Sequence, residues 1–483
     1  MASRMLKFTN IDPAMPEKRD AKARTQDFHE IYGDYAQQVA EDQAGRCSQC
    51  GVPFCQQGCP LSNNIPDWLK LVAEDRMEEA YEVSAATNNM PEICGRICPQ
   101  DRLCEGICTV EQSGHGTVTI GAVERYITDN AWEQGWVTPI KPPRERDQSA
   151  GIIGAGPGGL AAAEQLRRKG YQVTVYDRYD RGGGLLIYGI PSFKLEKEIV
   201  ERRIRRLEES GVTFEFNTSI GEEKTLSDLR DAHDTLLIAT GVYKARDLKV
   251  PGIGSTGVHA ALDFLTTSNR KGLGDKVPTF EDGTHNADGR RVVVIGGGDT
   301  AMDCVRTAVR QGAKSVSCLY RRDRANMPGS QREVANAEEE GVVFEWLAAP
   351  EAILDNNGDV KAVRASRMKL GAPDPSGRQS PEKTGETFDL EADMVIKALG
   401  FDPEELPQLF GEPALTVNRW GAIKVDFKTM ETSVANVFAA GDIVRGASLV
   451  VWAIKDGRDA AEEMHKRMKQ MARERAPEPV AAE

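Results

Sequence analysis

The chain has 483 residues, more than one hydrophobic core usually serves, and 40% of them are hydrophobic, so we expect two or three globular domains. Its formal net charge of -13 at pH 7 argues against a general nucleic-acid binder, because such a surface repels phosphates. The N-terminal stretch lacks a secretion signal, and no later stretch is apolar for a membrane-spanning length, so a cytoplasmic protein without a membrane partner is expected.

Eight of the ten cysteines lie in two groups near the N-terminus, separated by a predicted amphipathic helix over 66–86. In a reducing compartment, such a concentration indicates metal ligands or reactive thiols rather than disulfides. Four thiolates hold one cubane, so eight could hold two iron–sulfur clusters. The first group contains Cys47, Cys50, Cys55 and Cys59, and the second contains Cys94, Cys98, Cys104 and Cys108.

The spacing of these cysteines favours clusters over zinc. Cys59 and Cys98 each precede a proline, as in bacterial ferredoxins, where the cysteine before proline serves the cluster opposite to its neighbours. Zinc sites usually present two CxxC pairs, and only one occurs here. Zinc remains the alternative. The isolated Cys304 and Cys318 are expected to be core thiols.

A proline-rich linker over 140–149 leads into a strand, the glycine loop GAGPGG and a helix. In such a βαβ unit the glycines allow a tight turn, close approach of a pyrophosphate, and close packing of helix on strand. A carboxylate ending the next strand can accept hydrogen bonds from a ribose. The dinucleotide-binding residues predicted here are Gly154, Gly156, Pro157, Gly158, Gly159 and Asp177.

Two distant strand ends indicate that this first dinucleotide is FAD. One strand, TLLIATG, ends at Thr240 and Gly241, and another, NVFAAGD, ends at Gly441 and Asp442. This pairing resembles the flavoprotein reductases with two dinucleotide-binding domains. The resemblance implies that Gly441 and Asp442 bind the ribityl and phosphate part of FAD.

A second βαβ unit, from residue 291, carries the variant GxGxxA, with Gly296, Gly298, Asp299 and Thr300 as candidate ligands of a second dinucleotide. Where the first unit has Asp177, this one has Arg321 and Arg322. Guanidinium groups bind a 2′-phosphate that a carboxylate would repel, so NADPH is predicted rather than NADH. The alternative is that both arginines are solvated surface residues, and Arg332 is a weaker third candidate.

These parts imply an electron-transfer chain. NADPH gives two electrons together, clusters accept electrons singly, and FAD can do both. No CxxxxC pair lies near the flavin loop, which disfavours a disulfide reductase of the glutathione type, and residue 2 is Ala, so an N-terminal cysteine glutaminase is absent.

Several segments resemble the small (beta) subunit of NADPH-dependent glutamate synthases: the cysteine strings, GAGPGGL, GGGLLIYGIPSFKL, GGGDTAMDCVR and AAGDIVRGASLVVWAIKDG. The resemblance implies that FAD oxidises NADPH and that electrons pass through two low-potential 4Fe-4S clusters to a large (alpha) subunit carrying FMN, which makes L-glutamate from L-glutamine and 2-oxoglutarate. A hetero-oligomer is therefore expected. It also implies that Gly184, Leu185 and Lys194 lie near the flavin ring, with Lys194 contacting flavin or nicotinamide.

The N-terminal module also resembles the electron-entry half of dihydropyrimidine dehydrogenases. That resemblance assigns Cys47, Cys50, Cys55 and Cys108 to one cluster, and Cys59, Cys98 and Cys104 to the other. The fourth ligand of the second cluster, a glutamine in those enzymes, falls on Glu124, which leaves Glu124 and Cys94 as rivals. Glu124 is favoured, and a helix-surface glutamate is the alternative.

The expected fold is therefore α/β, with two Rossmann-like domains for FAD and NADPH preceded by a mostly α-helical iron–sulfur domain. An NADPH:ferredoxin-type oxidoreductase or transhydrogenase subunit, and a zinc-stabilised regulatory module, are the alternative functions. The expected ranges are 1–147 for the iron–sulfur domain, 148–288 and 421–483 for the FAD domain, and 289–420 for the NADPH domain.

Overall fold

The computed structural model describes residues 5–475 except 376 and 378. An extended N-terminal arm leads into a helical domain whose core surrounds the fully buried Trp68. Its helices are α1 (Ala21–Arg24), α2 (Gln37–Ala44), α3 (Phe54–Gly58), α4 (Ile65–Ala73), α5 (Met77–Thr87), α6 (Pro91–Ile97), α7 (Thr109–Gln112) and α8 (Ile120–Glu133), with 3-10 helices at Lys7–Thr9 and Gln100–Arg102.

The single helix predicted over 66–86 is wrong, because the chain forms α4 and α5 in its place. Asp75 between them has a φ of 59°, in the left-handed region that a continuing helix cannot contain. The break turns α5 back along α4, and both helices pack on the long helix α8.

A parallel sheet follows, with helices packed against it. Its elements are β1 (Ser149–Ile153), α9 (Pro157–Arg168), β2 (Gln172–Tyr176), α10 (Leu185–Tyr188), α11 (Lys197–Glu209), β3 (Val212–Glu215), α12 (Leu226–Ala232) and β4 (Thr235–Ile238). The chain then leaves this unit through the short strand β5 (Lys244–Ala245).

The second unit has the same plan with an added antiparallel sheet. Its elements are β6 (Val258–Ala260), α13 (Ala261–Gly272), α14 (Pro278–Glu281), β7 (Arg291–Ile295), α15 (Asp299–Arg310), β8 (Ser315–Tyr320), α16 (Gln331–Glu339), β9 (Val343–Trp346), β10 (Ala348–Asn356), β11 (Asp359–Pro373), β12 (Gln379–Glu391) and β13 (Met394–Lys397). The parallel strands lie in the order β6-β13-β7-β8-β9, and β10, β11 and β12 form the antiparallel sheet.

The chain then returns to the first unit. The returning elements are β14 (Phe401–Asp402), α17 (Leu406–Leu409), β15 (Val437–Ala439), α18 (Asp442–Arg445) and α19 (Val450–Arg475). β15 completes the first sheet in the order β15-β4-β1-β2-β3, and β14 pairs with β5 where the chain crosses between the units.

The crossings fall earlier than the ranges expected from sequence. β6 pairs with β13 of the second sheet, so that unit begins upstream of residue 289, and the return begins near β14 rather than at residue 421. The three-residue strand β6 carries no recognisable local pattern. The C-terminal sequence ARERAPEPVAAE, from residue 472, predicts disorder, but α19 continues to Arg475, and residues 476–483 lie outside the described part of the chain.

Polar contacts fix the helical domain and the arm onto the second unit. Arg24 of the arm is 1% exposed and pairs with the fully buried carboxylate of Glu340 at 2.8 Å. Arg332 of α16 pairs with Glu105 of the helical domain, also at 2.8 Å. Within the described ranges, no helix is long and apolar enough to cross a membrane.

Candidate functional site

The first glycine loop joins β1 to α9. Gly154 has a φ of 109°, and a Cβ on Gly159 would lie 2.0 Å from the Gly154 carbonyl oxygen, so the start of α9 sits directly on the strand end. Around Gly156 the space is open, with no atom within 4 Å of an added Cβ. The helix N-terminus therefore faces a space that a pyrophosphate can enter.

Asp177 at the end of β2 braces this loop. Its carboxylate accepts hydrogen bonds from the backbone N–H of Ala155 at 2.7 Å and of Tyr179 at 2.9 Å. Burial raises the pKa of Asp177, and these two hydrogen bonds work in the opposite direction. The carboxylate also lines the cavity described next, so it can meet a ribose while it holds the loop.

Two connected cavities run along the carboxyl ends of the first sheet. They share the walls formed by Gly154, Asp177, Thr240 and Tyr243, and the larger has a volume of about 290 Å³. The smaller one, hereafter the flavin cavity, is also lined by Gly156, Pro157, Gly158, Leu185, Gly241, Gly441, Asp442, Ser448, Leu449, Val450 and Ala453.

The flavin cavity contains polar side chains that can form hydrogen bonds with a bound ligand. The hydroxyl of Thr240 is buried and has no hydrogen-bond partner in the described part of the chain. Burial raises the pKa of Asp442, whose carboxylate accepts a hydrogen bond from Ser448 at 2.7 Å. A bound dinucleotide with hydroxyl and phosphate groups would satisfy such atoms, so the residues present fit FAD.

Helix α19 closes the flavin cavity from the opposite side. Its first turn supplies Val450 and Ala453, and its N-terminus carries the positive end of the helix dipole. The helix can approach because a Cβ on Gly457 would lie 2.1 Å from the carbonyl oxygen of Gly158 on α9.

Gly184, predicted to lie near the flavin, stands against the first glycine loop. A Cβ on it would lie 3.0 Å from the Cα of Gly156, and its φ is 55°. The following residue, Leu185, lines the flavin cavity.

The second glycine loop has the same backbone geometry as the first, but a different side chain supports it. Gly296 has a φ of 149°, the space at Gly298 is open, and Asp299 and Thr300 begin α15. In place of a carboxylate, the ring of Tyr320 packs beneath the loop, where a Cβ on Gly297 would lie 2.4 Å from it. The Asp299 carboxylate accepts a hydrogen bond from the backbone N–H of Ser330 at 3.0 Å.

Arg321 and Arg322 follow β8 at the edge of this second loop. Arg321 is exposed, and the Nε of Arg322 is buried without a hydrogen-bond partner in the part of the chain that the structure describes. Neither forms an ion pair there, whereas nearby Arg324 pairs with Glu338 at 2.9 Å. Arg332, the weaker candidate, is held by Glu105. Two guanidinium groups without an ion-pair partner among the described residues lie beside the loop, where they can bind the phosphates of NADPH.

Lys194 is not among the residues that line the flavin cavity. Its Nζ is buried and lies 2.9 Å from Asp303 and 3.6 Å from Glu333, both on the second unit. Burial lowers its pKa, but these carboxylates outweigh burial and raise it overall. Sequence alone suggested a contact to flavin or nicotinamide. The side chain ties the two nucleotide-binding units together, and its contact to flavin or nicotinamide stays a prediction.

Four cysteines of the helical domain surround one cavity, hereafter the outer thiol cavity. They are Cys47, Cys50, Cys55 and Cys108, and the remaining walls carry no charged side chain. Burial raises the pKa of Cys47 to about 11 and that of Cys55 to about 12. Thiolates at these positions therefore need the positive charge of bound metal.

A second cavity, hereafter the inner thiol cavity, lies deeper. It is lined by Cys59, Cys98 and Cys104, and also by both rival ligands, Cys94 and Glu124. Burial raises the pKa of Cys59 to about 12, while a hydrogen bond to Cys94, together with burial, raises that of Cys98.

Glu124 is buried in α8, only 7% exposed, and not on a helix surface. Burial raises the pKa of Glu124 to about 8, and the influences that lower it are hydrogen bonds from neighbouring side chains. Within the described ranges, no three Cys, His, Asp or Glu side chains converge as ligands of a single ion would.

The three cavities are adjacent. Val450 lines the flavin cavity and its neighbour Val451 lines the inner thiol cavity. Ile120 lines both thiol cavities. The inner thiol cavity therefore lies between the flavin cavity and the outer one.

Sequence reasoning missed several lining residues. Tyr243 closes both halves of the flavin site, and Arg178 stacks over its ring at 4.7 Å. Ser448 and Leu449 lie inside the segment AAGDIVRGASLVVWAIKDG, whose resemblance could have pointed to them. Tyr243 carries no such signal beyond its place two residues after Gly241.

Comparisons with known proteins agree with this arrangement. The family model for dihydropyrimidine dehydrogenase domain II, 4Fe-4S cluster, matches residues 24–136, and that for pyridine nucleotide-disulphide oxidoreductase matches residues 149–457. The chain is 63% identical over 483 residues to the glutamate synthase (NADPH) small chain of Azospirillum brasilense, covering 99% of each chain. It is 45% identical over 454 residues to AegA of Escherichia coli K12, which is named as an oxidoreductase, covering 92% of this chain and 68% of AegA.

Among solved structures, FprA of Mycobacterium tuberculosis in complex with NADPH has a TM-score of 0.58 at 21% identity, covering 69% of this chain and 88% of FprA. This likeness shows the fold of the two nucleotide-binding units, and with the family models it confirms the expected α/β fold class.

Proposed function

Because the chain belongs to the family of glutamate synthase (NADPH) small chains, we propose that it oxidises NADPH and passes the electrons to a separate large subunit that makes L-glutamate from L-glutamine and 2-oxoglutarate. One observation carries this proposal: the inner thiol cavity shares walls or adjacent residues with both the flavin cavity and the outer thiol cavity. Such an order suits electrons that enter at a nucleotide and leave at the outer cavity.

The chain's own residues supply binding and insulation. When bound, FAD exchanges electron pairs with NADPH and single electrons with iron–sulfur clusters. The glycine loops present backbone N–H groups to phosphates, and Arg321 and Arg322 add guanidinium groups for a 2′-phosphate. Val450, Val451 and Ile120 are the apolar walls where neighbouring cavities meet.

We assign the outer cluster to Cys47, Cys50, Cys55 and Cys108, which line one cavity. For the inner cluster we assign Cys59, Cys98, Cys104 and Glu124, with Cys94 as the rival. A buried carboxylate without a cation partner in the described part of the chain is costly, and bound metal would balance its charge.

The surface over the outer thiol cavity suits a protein partner. Residues 47–66 contain no charged side chain, although 28% of the whole chain is charged. Val52, Phe54 and Ile107 are 54%, 50% and 38% exposed, and Ile107 packs against this segment, since a Cβ on Gly58 would lie 2.2 Å from it. Exposed apolar side chains without charge are typical of interface cores. We propose that the large subunit, carrying FMN, docks here.

A second candidate function is supported by AegA. That protein shares this module at 45% identity but extends beyond it, since the chain covers only 68% of AegA, and it carries an oxidoreductase name. The same module thus occurs in another context. An NADPH:ferredoxin-type oxidoreductase or transhydrogenase subunit, with another electron acceptor, is therefore the alternative.

We propose a cytoplasmic location on the evidence of the thiols. All ten cysteines are unpaired, and reducing compartments keep thiols in that state.

Mixing experiments test the function. The anaerobically purified chain, combined with the large subunit, should form glutamate from glutamine and 2-oxoglutarate at the expense of NADPH, and the chain alone should not. Reduction of ferredoxin by the chain alone, with no glutamate formed in the mixture, would select the alternative acceptor.

Arg321 and Arg322 provide the test of cofactor choice. The double variant Arg321→Ala/Arg322→Ala should raise KM for NADPH by on the order of 10- to 100-fold, because each charge-assisted contact to phosphate contributes a few kcal/mol at most. KM for NADH should change little. Arg324→Ala is the matched control, because Arg324 already pairs with Glu338. Equal effects on both nucleotides would reject the assignment.

A further inference from the structure

One carboxylate oxygen of Glu124 accepts hydrogen bonds from two buried side-chain amides that lie on different segments. Its Oε1 accepts hydrogen bonds from Nδ2 of Asn63 at 3.0 Å and from Nδ2 of Asn88 at 3.2 Å. Both asparagines are 2% exposed. The hydroxyl of the buried Ser84 lies close enough to this carboxyl to lower its pKa, but among the described residues Oε2 receives no hydrogen bond of normal geometry.

The orientation of Asn63 is imposed by its neighbours. Its Oδ1 accepts a hydrogen bond from the indole N–H of Trp68 at 3.3 Å and from the hydroxyl of Thr87 at 3.2 Å. An indole nitrogen is only a donor, so the carbonyl oxygen of the amide must face Trp68. The amide nitrogen is thereby turned toward Glu124.

The orientation of Asn88 is imposed in the same way. Its Oδ1 accepts a hydrogen bond from the backbone N–H of Met90 at 3.0 Å, and a backbone N–H is likewise only a donor. The same oxygen accepts from the thiol of Cys94 at 3.8 Å. The amide nitrogen of Asn88 is thereby turned toward Glu124 as well.

These contacts determine which oxygen of Glu124 faces the inner thiol cavity as a metal ligand. Since both amides present N–H groups to Oε1, that position must be filled by an accepting atom. Oε2 is then the oxygen left for metal. Partners of this kind orient metal ligands in many sites and change metal affinity when they are lost.

We propose that Asn63 and Asn88 are positioning residues that orient Glu124 as an oxygen ligand of the inner cluster. This proposal rests on the proposed function, because it presumes that the inner thiol cavity holds a cluster. It adds a requirement beyond the cysteines: the neutral side chains of Asn63 and Asn88 determine that Oε2 of Glu124 is the fourth ligand atom of the cluster.

The test uses full-length chain purified anaerobically, with iron, sulfide and flavin content and the electron paramagnetic resonance spectrum of the dithionite-reduced protein as readouts. Asn88→Asp and Asn63→Asp replace a donor by an accepting oxygen beside Glu124. Each should lower iron content about twofold and remove the inner-cluster signal, because one of two four-iron clusters is lost. Flavin content should stay at the parental value.

Glu124→Gln is the second variant, since it keeps the size of the side chain and adds no buried charge. Although a glutamine ligates at this position in the dihydropyrimidine dehydrogenases that the domain resembles, here Asn63 and Asn88 still require an acceptor, so the glutamine oxygen turns toward them and its NH₂ group faces the cavity. The inner-cluster signal should therefore disappear from a folded, flavin-loaded protein.

Asn89→Asp is the matched control. Asn89 is 3% exposed and its Oδ1 already accepts a hydrogen bond from Arg458 at 2.7 Å, away from Glu124. It should keep both cluster signals. Parental iron content and spectrum in both Asn88→Asp and Glu124→Gln would overturn the positioning role alone, whereas a parent chain without iron would overturn the proposed function as well.

Discussion

The two thiol cavities lie in one small domain and share Ile120 as a wall, yet their linings differ. The outer one presents four cysteines among apolar and uncharged side chains, beneath an exposed apolar surface. The inner one mixes thiols with Glu124, two asparagines and Gln100, and is buried against α19. Cysteines therefore contribute to two different kinds of site. The other lining residues decide which side chain is the fourth ligand of each cluster and which part of the protein each cluster faces.

The largest effect is expected at the outer thiol cavity. Cys55→Ala should lower electron delivery to the large subunit on the order of 100-fold, because its cluster loses a ligand. Flavin reduction by NADPH, followed by absorbance under anaerobic conditions, should be unchanged. Cys318→Ala, at a buried thiol of the second unit, is the control. Unimpaired glutamate formation with Cys55→Ala would show that electrons leave elsewhere.

A smaller effect is expected at the surface above that cavity. Phe54→Ser should raise about tenfold the concentration of large subunit that gives half-maximal glutamate formation, since a central aromatic contact is worth one to two kcal/mol or more. Iron content should not change. Phe427→Ser removes an aromatic side chain that is 80% exposed on another part of the chain, and should have no such effect. If both variants behave alike, the proposed docking surface is wrong.

The smallest effect separates the rival ligands of the inner thiol cavity. Glu124→Ala should halve the iron content, whereas Cys94→Ala should leave it near the parental value, because about four irons belong to each cluster. Iron and sulfide analysis of the two purified variants measures this difference. The reverse pattern would assign the fourth position to Cys94 and make the two cavities alike.

The sequence predicted the parts of the fold that depend on short local patterns. Both glycine loops join a strand to a helix as expected, since the turn, the phosphate approach and the helix packing all require small residues within six positions. The fold class is confirmed. The cysteine-before-proline pattern pointed Cys59 toward the second cysteine group, and Cys59 lines the inner thiol cavity beside Cys98 and Cys104. The same pattern fails at Cys98, which stays with its own group, while Cys108 lines the outer thiol cavity.

What sequence could not supply depends on contacts between distant segments. Lys194 belongs to a motif expected near the flavin, but its partner Asp303 lies 109 residues away, and such an ion pair leaves no local signature. The amides that grip Glu124 come from positions 61 and 36 residues before it. The short strand β6 and the break at Asp75 are likewise decided by tertiary packing and a single backbone angle.

The central claim is that the inner thiol cavity joins the flavin cavity to the outer one. Its most direct test compares the parent chain with Glu124→Ala by electron paramagnetic resonance, after anaerobic addition of NADPH and then of dithionite. The account predicts that in the variant the outer-cluster signal develops with dithionite but is lost or greatly slowed with NADPH. An outer-cluster signal that appears with NADPH as fast as in the parent, in protein shown to lack the inner cluster, would contradict it.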